Sequence, residues 1–122
     1  MPEEWNKSYL DLLGISPVND NEGCLQDVHW SEGMFGYFPS YLLGHLISAQ
    51  LTETLERQLG PIQKVIEVGN FSLLIDWLSK NIYHFGRSVN AEELVKQVSS
   101  EKLSEKYFLD YLECKVEKLI SK

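Results

Sequence analysis

Residues 41–51, YLLGHLISAQL, decide the fold. The stretch is apolar on nearly every side when wound as a helix, and such a helix is stable where other elements surround it. Pro39, just upstream, suits the first turn of a helix, where a missing N–H costs nothing. Residues 52–58 are polar and Gly60-Pro61 ends the element. The reading is a central helix with others packed around it. Gly44 inside it costs about 1 kcal/mol relative to alanine and is tolerable where another backbone or a ligand approaches closely.

Working outward, the remaining pattern is helical too. Pro2, Glu3 and Glu4 open a helix in which Trp5, Tyr9, Leu12 and Leu13 recur on one face, and Gly14 closes it. Residues 16–23 carry turn chemistry and lead into a loop. Downstream, a short helix is expected over residues 62–68. Asn70 then caps a longer one, in which Phe71, Leu74, Ile75, Leu78, Ile82 and Phe85 keep helical spacing up to Gly86. Asn90 with Glu93 matches a capping box and turns Leu94, Val95 and Val98 inward. A last helix begins near Ser104, with Tyr107, Phe108, Tyr111, Leu112, Val116, Leu119 and Ile120 as its apolar stripe. Its other face carries Glu105, Asp110, Glu113 and Lys118, read as solvated charge. No strand pattern or internal repeat interrupts this series. The expected fold is all-α: a bundle of about five or six helices, one domain over residues 1–122, with a glycine-rich loop before the central helix.

Composition narrows the function classes. A net charge of −7 and a pI near 4.9 argue against nucleic acid, since phosphate binding is driven by lysine and arginine. No apolar run approaches the roughly 20 residues of a membrane helix, so no membrane partner is expected. The start, MPEEWNKSYL, is acidic and polar rather than signal-like, and a cytoplasmic protein is the expectation. Cys24 and Cys114 lack metal-ligand spacing and read as free thiols.

Chemistry concentrates in residues 23–44, GCLQDVHWSEGMFGYFPSYLLG. Asp27 precedes His29 by two positions, and in an extended segment both side chains project to one side, where the carboxylate fixes the imidazole tautomer. Such a histidine serves either as a donor to a ligand or as a hydrogen bond holding the loop. Gln26 suits a peptide backbone or the loop's own amides. Trp30 suits a packing anchor. Tyr37 and Tyr41, four apart, present two phenols on one side if the helix starts early; the alternative is core. His45 reads as a core histidine. Of the two arginines, Arg57 reads as surface, and Arg87 either pairs with a carboxylate or caps a helix end.

The segment GCLQDVHW resembles the Gly-x-x-Gln-Asp-x-His-Trp motif of the Taq-type zinc metallocarboxypeptidases. FGYFPSYLLG, WLSKNIYHFGR, AEELVKQV and EKYFLDYLECK resemble that family's following segments in order, so the resemblance covers nearly the whole chain. Ser99-Ser100 stands where the family tends to have Thr-Gly. The resemblance implies removal of C-terminal residues from peptides by the full-length enzyme, with a zinc ion or another divalent metal. It makes Asp27, His29, Tyr37 and Tyr41 supporting groups, and Gln26, His29, Trp30 and Arg87 substrate-binding ones. The family's metal site rests on His-Glu-x-x-His and a downstream Glu. Neither is in this sequence, whose histidines are His29, His45 and His84. The chain is therefore expected to correspond to the C-terminal portion of a longer enzyme, to bind no metal and to be inactive alone. The alternative is a non-catalytic helical module that pairs with a partner or forms a homodimer.

Overall fold

A computed structural model describes residues 1–121. It contains six α-helices, connected by loops and three 3₁₀ turns, and no strand among the described residues. The all-α expectation holds. None of the helices is long and apolar enough to cross a membrane. The chain divides into two compact units, Met1–Tyr41 and Leu42–Lys122.

The first unit opens with α1, Pro2–Leu13, closed by Gly14 in the left-handed conformation at φ 69°, its N–H bonded to the Leu10 carbonyl. Trp5 and Tyr9 stack at 5.2 Å, but Leu12 and Leu13 are exposed, so the buried face is narrower than the sequence pattern implies. Two 3₁₀ turns follow, Cys24–Gln26 and Val28–Trp30. Cys24 is fully buried. A Cβ on Gly23 would lie 3.2 Å from the Pro17 ring, a tight contact that the ring would have to relieve by moving a few tenths of an ångström.

The second unit contains most of α2 (Pro39–Leu59), then α3 (Ile62–Glu67), α4 (Phe71–Asn81), α5 (Ala91–Ser99) and α6 (Lys106–Ile120). Its core is Leu55, Val65, Trp77 and Val95, with Gln50 and Thr54 buried among them. The Trp77 indole N–H donates to Gln58 Oε1 at 2.8 Å, and Glu56 Oε1 accepts the Ile62 N–H at the start of α3. Asn90 and Glu93 make both bonds of the capping box. Both cysteines are free thiols.

Four expectations need correction. The first half of the central helix is uncovered: Leu42, Leu43 and His45 are exposed, and Gln50 rather than an aliphatic residue is its fully buried member. A Cβ on Gly44 would meet open space. On α6 the apolar stripe is half-buried only at Tyr107 and Phe108, whereas Tyr111, Val116, Leu119 and Ile120 face outward. Apolar periodicity marks a face that can be covered; it does not supply the cover. Finally, α4 stops at Asn81 because Ile82 leaves helical geometry at φ −127°, and Tyr83–Phe85 form a 3₁₀ turn. Asn70 caps α4 by position, with its side chain engaged by the Ser72 hydroxyl.

Among the described residues Ser100 is the one non-glycine with positive φ, at 63°, where it caps α5. An L side chain in that region meets the following carbonyl, so Ser100→Gly is expected to stabilise the chain by about 0.5–1 kcal/mol. A thermal melt reads this as a rise of a few degrees, and no rise means that the cap is unstrained.

Candidate functional site

The polar residues of the glycine-rich loop come together within the first unit. Asp27 adopts extended geometry and caps the Val28–Trp30 turn, its carboxylate accepting the His29 backbone N–H at 3.0 Å. The same Oδ1 accepts the His29 ring, Nδ1, at 2.5 Å. The expected pair is therefore present, but through an N-cap that folds the chain back on itself rather than through the alternation of a strand. Both side chains are largely shielded, His29 at 16% and Asp27 at 10% exposure.

With Nδ1 committed to Asp27, the other ring nitrogen, Nε2, lies 3.3 Å from the Tyr41 hydroxyl. Aromatic rings hold the imidazole in place: Tyr37 stacks on it at 5.4 Å, while Tyr41 and Phe38 pack at 5.6 and 5.8 Å. Tyr37 precedes α2 and Tyr41 lies in its first turn, yet the two rings still meet edge-on at 5.6 Å. The two phenols share a side because Pro39 starts the helix between them. Both tyrosines are about half exposed. The result is a fixed line, Asp27 to His29 to Tyr41, whose last group faces solvent.

Gln26 is exposed, and its amide donates to the Asn21 carbonyl within the loop. Trp30 is half-buried, its indole N–H bonded to the Cys24 carbonyl at 2.8 Å and its ring 5.3 Å from Phe35. Arg87 belongs to the second unit, exposed just after Gly86. His45 is exposed and stacks at 5.9 Å on Phe108, which corrects its reading as a core residue. Phe38 is the site residue that sequence reasoning passed over. Its place in an aromatic run beside Tyr37 was the available signal.

The His29 backbone N–H, and then the bond and charge of its ring, hold the Asp27 carboxyl below the ordinary carboxylate value, against the opposing effect of partial burial. A depressed folded-state value means that Asp27 stabilises the fold above the unfolded carboxylate range, near 3.9. That contribution disappears as pH falls through the lower folded value. Asp27→Asn should therefore lower the melting temperature at pH 7, and the gap should close as pH falls through the lowered folded-state value. A gap that is the same above and below that value would mean that the carboxylate charge contributes nothing.

The donor set does not suit a metal. Among the described residues no three His, Cys, Asp or Glu side chains converge, and the one close pair, Asp27 and His29, is bonded internally. What the arrangement provides is an oriented imidazole and two phenols, groups that donate to oxyanions.

Comparison with known proteins bears on the family and the fold. Residues 1–116 match the family described as carboxypeptidase Taq (M32) metallopeptidase. Carboxypeptidase 1 of Bacillus subtilis (strain 168) is 40% identical over 119 residues, covering 98% of this chain and 24% of that protein. Thermostable carboxypeptidase 1 of Thermus thermophilus is 41% identical over 115 residues, covering 94% and 22%. The crystal structure of the M32 carboxypeptidase from Deinococcus radiodurans R1 superposes with a TM-score of 0.88 at 31% identity, over 99% of this chain and 24% of that one. This chain spans about a quarter of the length of the curated relatives that it matches. With a family match over residues 1–116 and a shared fold, the chain belongs to the carboxypeptidase Taq (M32) metallopeptidase family.

Proposed function

We propose that this chain is the C-terminal portion of a metal-dependent carboxypeptidase, and that residues 23–41 form one wall of its substrate groove. The observation that carries this is the line from Asp27 through His29 to Tyr41. A carboxypeptidase must hold the terminal carboxylate of a peptide and stabilise the oxyanion that forms at the scissile carbonyl. An imidazole locked at Nδ1 and a phenol at its Nε2 are preorganised for both tasks. Tyr37 positions the ring and offers a second phenol. Trp30 fixes the course of the loop, Gln26 tightens it, and the exposed Arg87 guanidinium suits a carboxylate.

The metal, zinc by resemblance, and the base that activates water belong to the larger remainder of the enzyme, so no step through a metal falls to these residues. The chain alone is inactive. Residues 1–122 act as one domain of that enzyme, and the free thiols favour a cytoplasmic location.

The test replaces the matched quarter of Bacillus subtilis carboxypeptidase 1 with this chain and follows release of C-terminal residues from peptides. Activity within about tenfold of the parent supports the reading. A folded, metal-loaded chimera without activity overturns it.

A second reading, self-association as a homodimer, draws on the exposed apolar residues of α2 and α6. Light scattering over a concentration series separates the two, since a strictly monomeric chain has no such pairing.

A further inference from the structure

The second unit contains a groove of about 780 Å³ between α2 and α6, lined by Ala49, Glu53 and Glu56 on one side and Phe108, Tyr111 and Lys115 on the other. Its volume would admit a small molecule, and its lining mixes Ala49, Ile62, Phe108 and Tyr111 with charged side chains from both helices. The flanking helices are tied, because Gln50 of α2 bonds to Ser99 at the end of α5 and to Lys102 and Ser104 in the connection that leads into α6. A groove between two tied helices, with apolar side chains flanked by charged ones of both signs, is the shape that receives a third, amphipathic helix.

The chain as a whole exposes more surface than folded monomers of its size do. A folded monomer of 14.1 kDa exposes about 6,700 Å², and the two units counted as separate monomers would expose about 8,000 Å². The chain exposes 9423 Å². An excess of at least about 1,400 Å² on one side is that of a permanent interface rather than a transient one. The fold recurs, with TM-scores of 0.82 to 0.88, as about a quarter of much longer chains. The other three quarters of those chains are the natural source of the cover.

We infer that the α2/α6 groove seats an α-helix from the metal-bearing three quarters of this family's fold. The helix is apolar toward Phe108 and Tyr111, basic toward Glu53 and Glu56, and acidic toward Lys115 and Lys118. This rests on the reading of the chain as part of a larger carboxypeptidase, and it names the surface by which that part is held.

Cys114 lines the same groove and is exposed, whereas Cys24 is buried, so the groove carries its own reporter. The experiment measures thiol alkylation at the Cys114 peptide by mass spectrometry, in the chain alone and in the chimera with the Bacillus subtilis enzyme. Alkylation is expected to slow by on the order of 100-fold in the chimera. Tyr111→Asp should leave the melting temperature of the chain alone unchanged, because Tyr111 is exposed there, and lower that of the chimera by several degrees.

A soluble chimera in which Cys114 reacts as fast as in the free chain overturns the inference, even when it is an active peptidase. Protection with no activity supports the inference and overturns the proposed function instead. Concentration-dependent protection in the chain alone identifies a second copy as the occupant and also overturns it. So does a chimera that stays insoluble, because matching faces are what the inference requires.

Discussion

His29→Ala in the chimera is expected to lower kcat by about 10²–10³-fold, the usual cost of removing one preorganised oxyanion donor. The ring is fixed on all sides by Asp27, Tyr37, Phe38 and Tyr41, so no other group in the loop moves in to replace it. Tyr41→Phe is the more selective probe. It keeps the ring contacts and removes only the hydroxyl 3.3 Å from Nε2, and it should cost about tenfold, the worth of one neutral hydrogen bond near 1.4 kcal/mol. The split between constants assigns the role. A fall in kcat with KM unchanged means that the pair acts on the transition state, whereas a rise in KM alone means that it holds the substrate carboxylate equally in both states. If His29 serves only to brace the loop, alanine lowers the melting temperature and Tyr41→Phe leaves both constants alone. That outcome would remove the catalytic reading.

The parts of the molecule legible in the sequence are those set by neighbours a few residues away. The Asn90/Glu93 box, the Gly14 cap and the Asp27/His29 pair each depend on groups within one turn of chain, and all three are present. Even there the cause differed for Asp27, since capping a 3₁₀ turn satisfies a backbone N–H that an extended strand would have left for a partner. Burial was less legible. Trp77, the buried residue of α4, falls outside the apolar positions counted for that helix, because its indole can reach inward to Gln58, a helix away. Ile120 and Leu119 fit the stripe of α6 and remain exposed. Whether a stripe is covered depends on chain elsewhere, and for this family about three quarters of the chain lies outside these residues.

Gln50 is the residue that sequence reasoning passed over altogether, and it carries the largest stability effect expected here. In the sequence it interrupts an apolar run, and its partners are 49 to 54 residues away. In the fold it is completely buried. Its amide donates to Ser99 Oγ and the Lys102 carbonyl, and its Oε1 accepts the Ser104 N–H, each at 3.0 Å. Gln50→Ala leaves a cavity and strips three groups of their partner, two of them on the backbone. Each unsatisfied group costs about 1–3 kcal/mol, but Ser99 and the residue 102–104 turn are only partly buried and recover some of that from water. The net loss should be about 3 kcal/mol, a large share of the stability of a small helical chain. Gln50→Met separates the causes, since it fills the volume and lacks the bonds. If hydrogen bonding dominates, methionine loses nearly as much as alanine in urea denaturation at unchanged m-value. Were methionine to restore most of the midpoint, the clamp would owe its strength to packing. The connection between α5 and α6 would then be held by shape alone, and either helix should tolerate apolar replacement at Ser99.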